Sequence, residues 1–202
     1  MSILEIADIV GIVAFALSGY WVAARERLDL LGGFISSFLT ALGGGVMRDV
    51  IVSRPPYAFV DWLPATIVTG VVFIAFFLKL QRFFDYEKRR IFIVSDSIGL
   101  VAFSISGALV GIEAGFGFWG VALLALVTAV GGGVLRDILL NRVPLILSSD
   151  FYGSVAIVAG GVIYGLERLE LLGSISLTLL FLALLFLRIV AYRFGWRLPK
   201  IL

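Results

Sequence analysis

The stretch TALGGGVMRDV (40–50) sets an arginine and an aspartate behind three consecutive glycines in an otherwise apolar run, and TAVGGGVLRDI (128–138) repeats the pattern. A glycine weakens a helix by about 1 kcal/mol relative to alanine. A charge at the centre of a bilayer costs at least ~2.5–3.5 kcal/mol. Two costs placed together, twice, point to chemistry at Gly43, Gly44, Gly45 and Arg48, and at Gly131, Gly132, Gly133 and Arg136. The chemistry these residue types offer is coordination and gating of a cation. A helix bent at glycine frees backbone carbonyls, tolerable in lipid only where they are buried in protein or line water. Carbonyls beside water are cation ligands. Close helix packing is the plainer use of the same glycines.

The elements that position these residues are membrane spans. The 202 residues are 61% hydrophobic and 15% charged, with mean hydropathy +1.11. Soluble domains carry about 25% charged residues, so this chain is an integral membrane protein. It has no Cys and no His, which excludes disulfides and removes the commonest metal ligand and general base. An enzyme, a cofactor, a resident metal site and a nucleic-acid partner are not expected. The expected fold is all-α, a single transmembrane domain over 1–202.

Seven apolar segments approach the roughly 20 residues that a spanning helix needs: 4–23, 28–52, 59–80, 91–112, 117–140, 147–166 and 171–190. The connections leave no room for a soluble module. Lys and Arg favour the cytoplasmic side. Arg25, Arg27, Lys79, Arg82, Lys88, Arg89, Arg90, Arg142, Arg193, Arg197 and Lys200 fall on one side, against Arg54 and Arg168 on the other. That asymmetry puts the N-terminus outside and the C-terminus in the cytoplasm. The EKRR run is also suited to lipid headgroups, and Arg188 can snorkel to the cytoplasmic surface.

Shifted by 88 residues, the chain matches itself. DIVGIVAFALSG (8–19) falls on DSIGLVAFSISG (96–107), and roughly nineteen of about 49 positions from Asp8 to Pro56 are identical. This marks a repeat, with one copy about 4–80, the second about 91–166 and an extra helix about 171–190. Each copy holds three spans, so the second enters the membrane from the opposite side. Inverted repeats build midplane sites from interrupted helices in matching positions. The interruptions are expected at the two triplets, in the second and fifth spans.

Depth along the spans groups the charges. Asp8, Arg48 and Asp61 share the outer level; Asp96, Arg136 and Asp150 form the mirror set. Each arginine is expected to be held by two carboxylates, as a static pair or as a charged gate, with Asp49 and Asp137 as alternative partners. Ser18 and Ser106 either face a pore or bond back to their own helix.

Paired GGG-x-x-RD motifs, a three-plus-three inverted repeat and a seventh helix resemble the prokaryotic branch of the trimeric intracellular cation (TRIC) channel family. The resemblance covers nearly the whole chain. It implies a homotrimer of seven-helix subunits in the inner membrane, each with its own pore conducting monovalent cations, chiefly potassium. It also implies pore-hinge roles for Gly43, Gly44, Gly45, Gly131, Gly132 and Gly133, with Arg48 and Arg136 near the pore. Animal members carry a lysine linked to voltage sensing on the fourth span, and 91–112 has no Lys or Arg. The same family has been described as glycine transporters, which is the alternative function. Lipids are the other expected partner.

Overall fold

A computed structural model of the chain describes residues 3–80, 87–148 and 151–196, without the side chains of 87–90 and 148. The expectations for Arg82, Lys88, Arg89, Arg90, Asp150, Arg197 and Lys200 lie outside what is described. Among the described residues the elements are α1 Ile3–Arg25, α2 Leu30–Ile51, α3 Tyr57–Val60, α4 Leu63–Phe77, α5 Glu87–Glu113, α6 Phe118–Leu139, α7 Leu145–Ser148, α8 Gly153–Arg168 and α9 Ser174–Arg193.

Five of these are long and apolar enough to cross a membrane: Ile3–Arg25, Leu30–Ile51, Ile91–Glu113 within α5, Phe118–Leu139 and Ser174–Arg193. The third and sixth expected spans are shorter. Helices α4 and α8 have 15 and 16 residues, about 22–24 Å at 1.5 Å per residue, and each follows a single-turn helix. The chain breaks between Val60 and Leu63, where Asp61 is extended.

The expected breaks at the glycine triplets are absent. Helices α2 and α6 run without interruption through Gly43–Gly45 and Gly131–Gly133. The reason is packing. Helices α1 and α5 lie against each other, as do α2 and α6, so each repeat packs on its counterpart. Ser18 of α1 meets Asp96 near the start of α5, and Asp8 meets Ser106 further along α5. The two equivalent helices are therefore antiparallel, the geometry of an inverted repeat. Phe15 and Phe103, 88 residues apart, pack against each other near the centre with tilted rings whose centroids are 5.4 Å apart.

Close approach sets what each glycine does. A Cβ on Gly44 would fall within the carbonyl oxygen of Thr128, and one on Gly132 within that of Thr40. These are again equivalent positions, so α2 and α6 cross backbone to backbone, as small residues allow. A Cβ on Gly43 would sit 2.9 Å from Leu135 Cδ1, and one on Gly131 2.6 Å from Met47 Sδ. The nearest atoms belong to flexible side chains, with the backbone of Gly132 3.1 Å from the first and that of Gly44 3.4 Å from the second. The third glycine differs: the nearest atom to a Cβ on Gly45 is Arg48 Nη2 at 3.9 Å, and on Gly133 it is Arg136 Nη2 at 3.7 Å.

Candidate functional site: two buried arginine clusters

That third glycine explains the spacing of the motif. Helical side chains lean back toward the N-terminus, over the preceding turn. Arg48 therefore lies over Gly45, and Arg136 over Gly133. A bare glycine there leaves room for a guanidinium beside its own helix. Both arginines are 1% exposed, the two largest fully buried side chains among the described residues.

In the first cluster Arg48 Nη1 donates to Asp8 Oδ1 at 2.8 Å and also to Ser106 Oγ. Ser106 in turn donates to Asp8 Oδ1 at 2.6 Å. Arg48 Nε donates to Asp49 Oδ1 at 2.9 Å, and Arg54 Nε donates to the same oxygen at 2.8 Å. Asp49 Oδ2 accepts from the Tyr57 backbone N–H at 2.9 Å. Asp49 therefore ties the end of α2 to the turn that leads into α3. Charge-assisted bonds of this kind are about twice as strong as neutral ones, and a charge buried this deeply requires them.

The second cluster is built from equivalent residues. Arg136 Nε donates to Asp137 Oδ1 at 2.9 Å, and the Leu145 N–H donates to Asp137 Oδ2 at 3.2 Å. Arg136 Nη1 donates to Ser18 Oγ at 3.3 Å, which donates to Asp96 Oδ1 at 3.0 Å. Each serine thus belongs to one repeat and serves the carboxylate of the other. Longer-range pairs exchange in the same way: Arg54 reaches Glu113 at 3.9 Å, and Arg142 reaches Glu26 at 3.5 Å.

Asp8 pairs with Arg48 as their levels along the chain indicated, whereas Asp96 and Arg136 meet only through Ser18. Asp49 and Asp137 are the direct partners of the arginine Nε atoms. Asp61 is not a partner of Arg48. Its Oδ1 accepts from the Leu63 N–H at 2.8 Å at the start of α4, because the chain breaks at this point instead of continuing as a span. Ser18 and Ser106 bond to the opposite repeat, not back to their own helices. Arg188 does not snorkel. It is 4% exposed, with its guanidinium 5.0 Å over the ring of Tyr152, a buried residue beside Asp96.

A cavity of about 20 Å³ lies beside the first cluster, lined by Asp8, Gly45, Arg48, Asp49, Tyr57 and Phe103 among others. It has room for about one water molecule.

Fold and site together define an α-helical integral membrane protein of two inverted three-helix repeats, with a buried arginine–carboxylate–serine cluster at each end of their interface. The profile of the family described as Glycine transporter matches residues 5–79 and 93–168. The UPF0126 membrane protein YvgT of Bacillus subtilis is 36% identical over 97% of this chain and 95% of its own length. The UPF0126 inner membrane protein YadS of Escherichia coli is 30% identical over 95% and 93%. The chain belongs to this family.

Its fold is that of prokaryotic TRIC channels. A structure described in work on conductance through TRIC cation channels superposes with TM-score 0.85 at 34% identity, covering 98% of this chain and 97% of the other. A prokaryotic TRIC channel in 0.5 M KCl gives 0.88 at 28%, covering 97% and 98%. A trimeric intracellular cation channel orthologue from Rhodobacter sphaeroides gives 0.88 at 25%, covering 96% and 100%.

Proposed function

We propose that the protein is a potassium-permeable cation channel of the prokaryotic inner membrane, a homotrimer with one pore within each subunit. The observation that carries this reading is the duplicated cluster. Two arginines, buried and held by carboxylates, stand at opposite ends of one repeat interface, in a fold shared with solved cation channels at up to 34% identity. A static scaffold has no use for six buried charges with a cavity beside the first cluster. The clusters form the closed gates. When Arg48 or Arg136 leaves the path, the oxygens of Asp8 and Ser106, or of Asp96 and Ser18, become available to a permeating cation. Potassium is the passing ion, and no resident cofactor or metal takes part. The glycine triplets act at the same place: Gly45 borders the cavity, while Gly43, Gly44, Gly131 and Gly132 form the crossing about which α2 and α6 pivot. The exposed apolar residues on α9, among them Ile175, Leu179, Leu182 and Phe186, face lipid or neighbouring subunits.

The second reading is a small amino-acid transporter for glycine. The family's description favours it, as does the frequency of inverted repeats among transporters. Protein purified in mild detergent should have the mass of three subunits. In liposomes it should pass potassium in single-channel steps without taking up radiolabelled glycine. Concentrative glycine uptake without unitary currents would replace the channel reading with the transporter.

The N-terminus is placed outside and the C-terminus in the cytoplasm, following the Lys/Arg asymmetry. A cytoplasm-dependent reporter fused after Leu202 should be active, and one inserted after Glu167, near the end of α8, should not. Activity from both sites would refute this orientation.

A further inference from the structure

The two clusters are equivalent in sequence, yet their surroundings are not. Helix α9 lies outside the repeats and packs against α5 and α8, both in the second repeat. Its buried face consists of Leu177, Leu184, Arg188 and Ala191. Their spacings of seven, four and three mark one stripe of a helix, and an arginine occupies a place where that stripe calls for an apolar side chain. A charge buried there is costly and marks function by default. Arg188 points its guanidinium at the face of Tyr152, 5.0 Å from the ring centroid, a cation–π geometry. Tyr152 is itself 3% exposed and stands directly before α8. It lies beside Asp96, whose Oδ1 accepts from Ser18. The chain Arg188–Tyr152–Asp96–Ser18–Arg136 therefore runs from the extra helix to the second arginine. Around Asp8 the described hydrogen bonds come from Arg48 of α2 and Ser106 of α5.

We infer that Arg188 and Tyr152 form a one-sided latch. Through them α9 holds Asp96, and with it Arg136, in the closed arrangement, so the two ends of the pore are gated with unequal strength. Neither residue needs to touch the permeating ion; both are positioning residues. The inference rests on the channel reading above.

The test is single-channel recording of the full-length protein in symmetric potassium chloride, beside thermal unfolding of the same preparations. Tyr152→Phe keeps the ring under Arg188 and removes only the hydroxyl. Arg188→Leu removes the cation, and Arg188→Lys restores it. Loss of one polar contact with a charged group from the closed state alone shifts the open-to-closed ratio by roughly tenfold. Tyr152→Phe and Arg188→Leu should each raise it by about that factor. The double variant should rise no further than either single one, because residues of one device are not additive. Arg188→Lys should return most of the closed population. Folded Tyr152→Phe protein with the open probability of the natural chain would overturn the latch, even if Arg188→Leu fails to fold. Fully multiplicative effects would overturn it too, since the two residues would then act separately. Absence of potassium current in the natural chain and in every variant would sink the channel reading itself. Currents that are present but unmoved by these substitutions would sink only the latch.

Discussion

Gly44→Ala and Gly132→Ala should each lower the unfolding temperature markedly, while Gly45→Ala and Gly133→Ala leave it nearly unchanged. All four substitutions add one methyl group and remove one glycine from a helix, which by propensity alone stabilises by about 1 kcal/mol. The surroundings decide the sign. At Gly44 and Gly132 the methyl meets the carbonyl of Thr128 or Thr40, and backbone cannot rotate aside as a side chain can. Overpacking a fitted site costs about 1–3 kcal/mol and sometimes more. Here the intruded atom is the main chain of the helix on which the repeats cross, so the upper part of that range applies. At Gly45 and Gly133 the nearest atoms are arginine nitrogens at 3.9 and 3.7 Å, an ordinary contact. These two variants should alter conductance instead, because the methyl stands where the guanidinium would move. Gly43→Ala and Gly131→Ala fall between, since Leu135 and Met47 can yield. Thermal unfolding in detergent paired with potassium flux on the same protein separates the classes. A Gly44→Ala protein as stable as the natural chain would mean that the crossing is loose and that these glycines do not hold it. Gly44→Val and Gly132→Val carry branched bulk into the same contact and should not yield a folded protein.

Much of this was legible before any coordinates. The repeat, its inversion and the levels of Asp8, Arg48, Asp96 and Arg136 followed from identical spacing and an odd number of spans in each copy. What spacing along one chain does not carry is which helices touch. Ser106 is 98 residues from Asp8, and only the antiparallel packing of α1 on α5 brings them together. Asp61 was placed by counting along a span assumed continuous from residue 59. The break at 61–62 turned it into the ligand of the Leu63 N–H. The triplets were read as breaks because glycine weakens helices. The contacts with Thr40 and Thr128 show the opposing term: a shared crossing that only glycine permits. Arg188 is legible as buried in the sequence itself. It lies on the Leu177, Leu184 and Ala191 stripe, and a charge in phase with an apolar face is a buried charge.

Arg48→Ala and Arg136→Ala should each destabilise the protein strongly, but by orphaning carboxylates that are not equivalent in the repeat. Removing one partner of a buried pair costs roughly 3–5 kcal/mol, because the other charge is left uncompensated. After Arg48→Ala, Asp49 keeps Arg54 and the Tyr57 N–H. Asp8 keeps Ser106, and a hydroxyl does not balance a carboxylate. It should therefore meet most of that cost. After Arg136→Ala the orphan is Asp137, which loses its described ion pair and keeps the Leu145 N–H. Asp96 reaches Arg136 only through Ser18 and retains that bond. Adding Asp8→Asn to Arg48→Ala removes the orphaned charge and should recover a large part of the lost stability, whereas Arg48→Ala alone should not be rescued by substituting Asp49. Conductance gives the independent reading. Both alanine variants clear a cation from the proposed path, so each should raise potassium flux through whatever protein remains folded. Rescue of Arg136→Ala by Asp96→Asn but not by Asp137→Asn would show that Asp96, and not Asp137, meets the cost. Unchanged or reduced flux in folded Arg48→Ala, Asp8→Asn protein would make Arg48 a helix tie and remove it from the gate.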